Sequence, residues 1–180
     1  MSLLLLLGGA RSGKSSCALA LAGSQQQPVV FVATAQALDP DMAERIARHR
    51  GERPAGWTTV EEPLELAAAL AAAPPAACAI VDCLTLWVSN LLGAGMAAGD
   101  IERLGAEAAG LAAARPGPTI AVSNEVGLGI VPATELGREF RDLLGRVNTA
   151  WAATAAESYL LVAGRALPLG PAPAWLRARA

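Results

Sequence analysis

The stretch Leu3-Leu4-Leu5-Leu6-Leu7-Gly8-Gly9-Ala10-Arg11-Ser12-Gly13-Lys14-Ser15 decides the fold. Five consecutive leucines predict a strand buried on both faces over residues 3–7. Residues 8–15 then match G-x-x-x-x-G-K-[ST], and an apolar-periodic segment at 15–22 predicts a helix directly after it. Glycines let successive backbone N–H groups curl around phosphate oxygens, and the positive end of the following helix faces the same charge. Gly8, Gly9, Ala10, Arg11, Ser12, Gly13, Lys14 and Ser15 are therefore the candidate nucleotide-binding residues. Lys14 would neutralise the transferred phosphate, and the Ser15 hydroxyl would hold Mg2+. Arg11 either contacts phosphate or forms a surface ion pair.

Downstream, strand and helix signals alternate, which favours a mostly parallel sheet covered by helices. Strands are predicted at 29–33, 57–60, 78–81, 119–122 and 159–162, with an antiparallel edge strand at 167–169. Asp39 and Pro40 open a helix that ends before Gly51 and Pro54. Further helices are predicted at 63–73, 84–92 and 102–114, with a flexible break at 93–99. From Thr134, the helical spacing of Leu136, Phe140, Leu143, Leu144, Val147 and Trp151 predicts one buried face. This gives a single domain over 1–169 and a peripheral Pro-rich tail at 170–180.

Composition narrows the function. Hydrophobic residues make up 53% and aromatics only 4%, so Leu, Val and Ala must build the core. A net charge of −2 offers no general attraction to nucleic acid, so none is expected as a partner. No apolar run reaches the roughly 20 residues a spanning helix needs. The leucine run lacks a basic leader and turns at once into the glycine loop, which argues against a signal peptide. Cys17, Cys78 and Cys83 form neither a disulfide framework nor a zinc pattern, which suits a reducing cytoplasm.

Asp82 follows the apolar run Ala79-Ile80-Val81, where a strand-end acid would orient Mg2+; the alternative is that it caps the next helix. Asn124 and Glu125 end another strand on the same side and either position an acceptor or water or fix the local turn. His49 is the single histidine, set among Arg45, Arg48, Arg50 and Arg53. Guanidinium groups there can draw in a triphosphate while an imidazole nitrogen serves as nucleophile. By residue chemistry alone, an ordinary helix-end role fits His49 as well.

Five segments, in order, carry a resemblance: GGARSGKS at 8–15, VATAQALDPDMAERIARHRGERP at 32–54, VDCLTLWVSNLL at 81–92, SNEVGLGIVP at 123–132 and GREFRDLLGRVN at 137–148. Together they resemble the bifunctional adenosylcobinamide kinase/adenosylcobinamide-phosphate guanylyltransferase family of cobalamin biosynthesis. The resemblance implies a recombinase-type ATPase fold and a homotrimer. It implies phosphorylation of adenosylcobinamide by ATP or GTP with Mg2+, followed by transfer of GMP from GTP to adenosylcobinamide phosphate. It places the guanylylated histidine at His49, and leaves Arg45, Arg48, Arg50, Arg53, Glu61, Asn124 and Glu125 as candidate phosphate or substrate contacts. Arg48 stands where relatives carry the first of two adjacent histidines, and the position of Asp82 is acidic in relatives without always being Asp. Two other readings of the chain are a monofunctional small-metabolite kinase and a nucleotide-dependent interaction module without catalysis.

Overall fold

A computed structural model describes residues 3–171. Seven strands form one sheet in the order β3-β2-β4-β5-β1-β6-β7. They are β1 (Leu3–Gly8), β2 (Val29–Ala33), β3 (Thr58–Glu61), β4 (Cys78–Asp82), β5 (Thr119–Val122), β6 (Glu157–Val162) and β7 (Arg165–Pro168). Every pairing is parallel except β6 with β7, so the expected antiparallel edge strand is present. The helices are α1 (Lys14–Gly23), α2 (Pro40–Gly51), α3 (Leu66–Ala72), α4 (Leu84–Gly93), α5 (Ala98–Ala114) and α6 (Glu135–Thr154).

Because successive side chains of a strand alternate faces, the leucine run feeds two cores. Leu3, Leu5 and Leu7 join Val30, Val32, Ala79 and Val81 beneath residues of α3 to α6, including the fully buried Trp87 and Trp151. Leu4 and Leu6 join Phe31, Ile80 and Ile120 on the opposite face, against Ala18 and Ala22 of α1. A strand covered on both sides needs no polar alternation, which is why these runs read as continuous apolar segments.

Several boundaries differ from expectation for local reasons. The α3 helix starts at Leu66 rather than 63, because the Glu62 carboxylate accepts hydrogen bonds from the N–H groups of Leu64 (3.0 Å) and Glu65 (2.9 Å) and holds a turn. The break expected at 93–99 is a hydrogen-bonded connection of four residues. Gly95, at φ 80°, donates to Leu92, Met96 donates to Leu91, and α5 begins at Ala98. Leu136 is 62% exposed rather than buried; it lies in the first turn of α6, beside a groove lined by Leu92 and Phe140. The tail expected from 170 lies, beyond Pro171, outside the described residues.

Candidate active site

The loop after β1 is built by backbone constraints. Gly8 has φ 151°, and a methyl group there would collide with the carbonyl oxygen of Leu161 on β6. Gly13, at φ 98°, is the left-handed residue before α1. The β6–β7 turn braces the loop from outside, since Gly164 donates its N–H to the Ser12 carbonyl at 2.9 Å. Both turn residues, Ala163 and Gly164, have positive φ, as a two-residue type I′ turn requires.

Lys14 opens α1 with its ammonium folded onto the loop. Nζ donates to the carbonyls of Gly8 (2.9 Å) and Gly9 (2.7 Å) and to Ser12 Oγ (3.3 Å). Burial pushes its pKa below the ordinary lysine value, and Arg45 adds to that, while Cys83 and Asp82 oppose it. Residues 10–16 line a cleft of about 310 Å³ with Arg45, Asp82, Cys83, Val122 and Asn124. Arg11, exposed at φ 55°, forms no ion pair among the described residues.

Asp82 ends β4, separated from β1 by β5 alone. Its backbone is fixed by Thr34, just past β2. The Thr34 N–H donates to the Asp82 carbonyl (3.1 Å), and its hydroxyl donates to the Cys83 carbonyl and accepts from the Cys83 N–H, both at 2.8 Å. Cys83 rather than Asp82 is the N-cap of α4, with no side-chain cap bond, so the capping alternative for Asp82 does not hold. Burial raises the Asp82 pKa above the usual carboxylate value, opposed by His49, Arg53, Arg45 and Lys14. The neighbouring Cys83 thiol is pushed up to about 11 by burial and then by Asp82.

His49 occupies the last turn of α2, whose N-terminus is capped as expected: Asp39 Oδ1 accepts from Met42 N at 2.7 Å. The helix buries no residue, and its Met42, Arg45, Ile46, His49 and Arg50 form one wall of a cleft. His49 Nδ1 stands 4.0 Å from Asp82 Oδ2. A second cleft of about 370 Å³ contains His49, Arg50, Arg53, Glu61 and apolar groups including Ala35, Ile46 and Leu86. Arg45, Asp82 and Cys83 line both clefts and join them. Arg50 pairs with Glu61, and Arg53 stacks its guanidinium 3.7 Å from the Phe31 ring centre.

Two candidates fall elsewhere. Arg48 is exposed and lines neither cleft, and the Glu125 carboxylate accepts from the Gly127 N–H at 2.9 Å, in the turn after β5. Thr34 was missed from sequence; its place directly after an apolar strand run, like that of Asp82, was the available signal.

Among the described residues no cluster of three or more His, Cys, Asp or Glu side chains could cage a metal ion. The Asp82 carboxylate and the Ser15 hydroxyl nevertheless share the loop cleft, which Ser12 and Ser16 also line. That donor set fits Mg2+, which takes most of its oxygen shell from phosphates and water.

A phosphate loop at the end of an interior parallel strand, an acid on the next strand but one, and helices on both faces define a P-loop nucleoside triphosphatase fold. A KaiC-like protein, PH0186, from Pyrococcus horikoshii shares it, with TM-score 0.53 and 15% identity over 88% of this chain and 70% of that one. Protein PH0250 of the same organism gives TM-score 0.58 at 7% identity, covering 97% and 88%. At the sequence level, the model of the cobinamide kinase / cobinamide phosphate guanyltransferase family matches residues 4–169, and the chain belongs to this family. It is 47% identical over 173 residues to the bifunctional adenosylcobalamin biosynthesis protein CobP of Pseudomonas aeruginosa, covering 94% of this chain and 98% of that one. It is 42% identical over 175 residues to the bifunctional adenosylcobalamin biosynthesis protein CobU of Escherichia coli, covering 90% and 96%. The chain is accordingly an enzyme with the family's two activities, kinase and guanylyltransferase. Among the described residues no helix is long and apolar enough to cross a membrane.

Proposed function

We propose that both activities run through the joined clefts, with the phosphate loop serving both and His49 serving only the second. In the kinase step, the aminopropanol hydroxyl of adenosylcobinamide attacks the γ-phosphorus of ATP or GTP, and the nucleoside diphosphate leaves. Loop N–H groups and Lys14 hold the phosphates and stabilise the charge that builds on the bridging oxygen. Ser15 and Asp82 would hold Mg2+, which when bound neutralises phosphate charge.

In the transfer step an imidazole nitrogen of His49 attacks the α-phosphorus of GTP, the bond to the β-phosphate oxygen breaks, and pyrophosphate leaves. A phosphate oxygen of adenosylcobinamide phosphate then attacks the same phosphorus and displaces the imidazole. Adenosylcobinamide-GDP forms and His49 is regenerated. Covalent catalysis of this kind divides one difficult substitution into two easier ones. Arg45, which borders both clefts, is placed to follow the phosphates in either step.

The observation that carries this reading is the position of His49 beside Asp82, where the two clefts meet. We assign the enzyme to the cytoplasm, which its three free cysteines suit. A homotrimer follows from the family resemblance and is supported by Leu128, Ile130 and Val131, exposed by 63–96% after β5, which assembly would cover. Incubation with adenosylcobinamide, GTP and Mg2+ followed by mass analysis tests the function. Both the phosphorylated and the GDP-linked corrinoid should form. The phosphorylated product alone would indicate a monofunctional kinase, and neither product an interaction module.

A further inference from the structure

Four residues from three of the family-resembling segments close a hydrogen-bonded ring, and one of them, Asn124, lines the loop cleft. Thr85 on α4, Ser123 just past β5 and Asn148 on α6 are all buried polar side chains. Ser123 Oγ donates to Asn148 Oδ1 at 2.6 Å, which leaves it accepting from Thr85 Oγ1 at 3.4 Å. Thr85 Oγ1 in turn accepts the Asn124 N–H at 2.7 Å, and Asn148 Nδ2 donates to the Asn124 carbonyl at 3.1 Å. Both backbone polar groups of Asn124 are thereby held, its N–H by Thr85 on α4 and its carbonyl by Asn148 on α6. A largely buried network of this kind favours one geometry, because breaking it leaves buried polar groups unpaired.

The Asn124 side chain is the part the ring leaves free. It makes no hydrogen bond among the described residues, yet it lines the loop cleft with Lys14 and Asp82. The order of the sheet explains its aim: β5 lies between β1, which carries the loop, and β4, which carries Asp82. A neutral amide in this place can donate to a phosphoryl oxygen and accept from an attacking hydroxyl without repelling phosphate. Asn124 lines the loop cleft and not the cleft that contains His49.

We infer that Thr85, Ser123 and Asn148 are positioning residues that fix Asn124 against the phosphoryl group in transfer, and that they act on the kinase step and not on guanylylation of His49. This rests on the reading that the loop and Lys14 hold nucleotide phosphates in both steps, while Asn124 faces only the phosphoryl group passed to the hydroxyl in the kinase step. Thr85→Val keeps the volume and removes the hydroxyl that holds Asn124. It should lower kinase kcat by about tenfold or more, with KM for the donor nearly unchanged. Labelling of His49 by α-labelled GTP should proceed at the unmodified rate, and Thr85→Ser should restore the kinase. In an Asn124→Ala background Thr85→Val should cost nothing further, because the group it positions is gone. Ser123→Ala repeats the test from another member of the ring, with folding checked by thermal melting. Equal losses in both half-reactions, or full additivity with Asn124→Ala, would overturn the inference. Lys14→Ala measured alongside separates the levels. Lost kinase activity there with an unaffected Thr85→Val enzyme overturns the ring's role alone, whereas full kinase activity in Lys14→Ala removes the loop reading and the inference with it.

Discussion

His49 Nδ1 lies 4.0 Å from Asp82 Oδ2, which brings the last turn of α2 onto the end of β4. The separation is beyond hydrogen-bond length, so the relationship is electrostatic and leaves either imidazole nitrogen free to react. It joins the proposed nucleophile of one reaction to the proposed metal-holding carboxylate of both. The site can therefore change reaction by moving substrates rather than by rebuilding itself.

Asp82 carries a stability cost that its removal should reveal. Burial holds its pKa above the unfolded value, so the native chain keeps the proton to higher pH than the unfolded chain does. The Asp82 contribution to native stability therefore falls as pH rises from about 4, the unfolded aspartate pKa, through the raised native value. Asp82→Asn should melt at a higher temperature than the unmodified protein, with a gap that widens over that range, while its Mg2+-dependent turnover collapses. Melting curves across pH and Mg2+ titrations of both activities check this. An identical Mg2+ response would make Asp82 structural.

Lys14→Ala should weaken both reactions, because each develops charge on phosphates held by the loop. Loss of one well-placed donor costs about 3 kcal/mol, or roughly a hundredfold in rate. Steady-state kinetics on the folded variant, for each product separately, decide this. Unchanged rates for both would remove the loop from the chemistry.

Gly8→Ala should destabilise the protein by about 1–3 kcal/mol, because φ 151° is strained for alanine and the new methyl group meets the Leu161 carbonyl. Gly9→Ala, with open space around the position, should leave unfolding by urea nearly unchanged. The contrast between adjacent glycines reports loop geometry rather than general fragility.

The strands at 29–33 and 119–122 were legible to the residue because doubly covered strands are continuous apolar runs with sharp ends. The phosphate loop was legible because its chemistry is local. Boundaries set by side-chain capture of the backbone, such as Glu62 holding the turn before α3, were not, since an acid near a helix start reads equally well as its first turn. Periodicity placed Leu136 on the buried face of α6 but could not tell where that helix outruns its cover. His49 was ambiguous from its own residues and acquired a role through the resemblance; its approach to Asp82 is a long-range contact between α2 and the end of β4 that local sequence does not carry. Thr85 and Asn148 sit in helices where a lone polar residue normally reads as surface, and only the folded chain closes their ring.

The site of GMP attachment decides whether guanylyl transfer passes through His49. Incubation of the enzyme with α-labelled GTP and Mg2+, digestion and peptide mass analysis should place a single GMP on His49. As a phosphoramidate the adduct should survive alkali and be lost in acid. No other histidine is present to take the label. His49→Ala should abolish both the label and guanylyl transfer while leaving kinase activity. Full guanylyl transfer by the folded His49→Ala enzyme, or GMP attached to a different residue, would contradict a guanylyl-His49 intermediate.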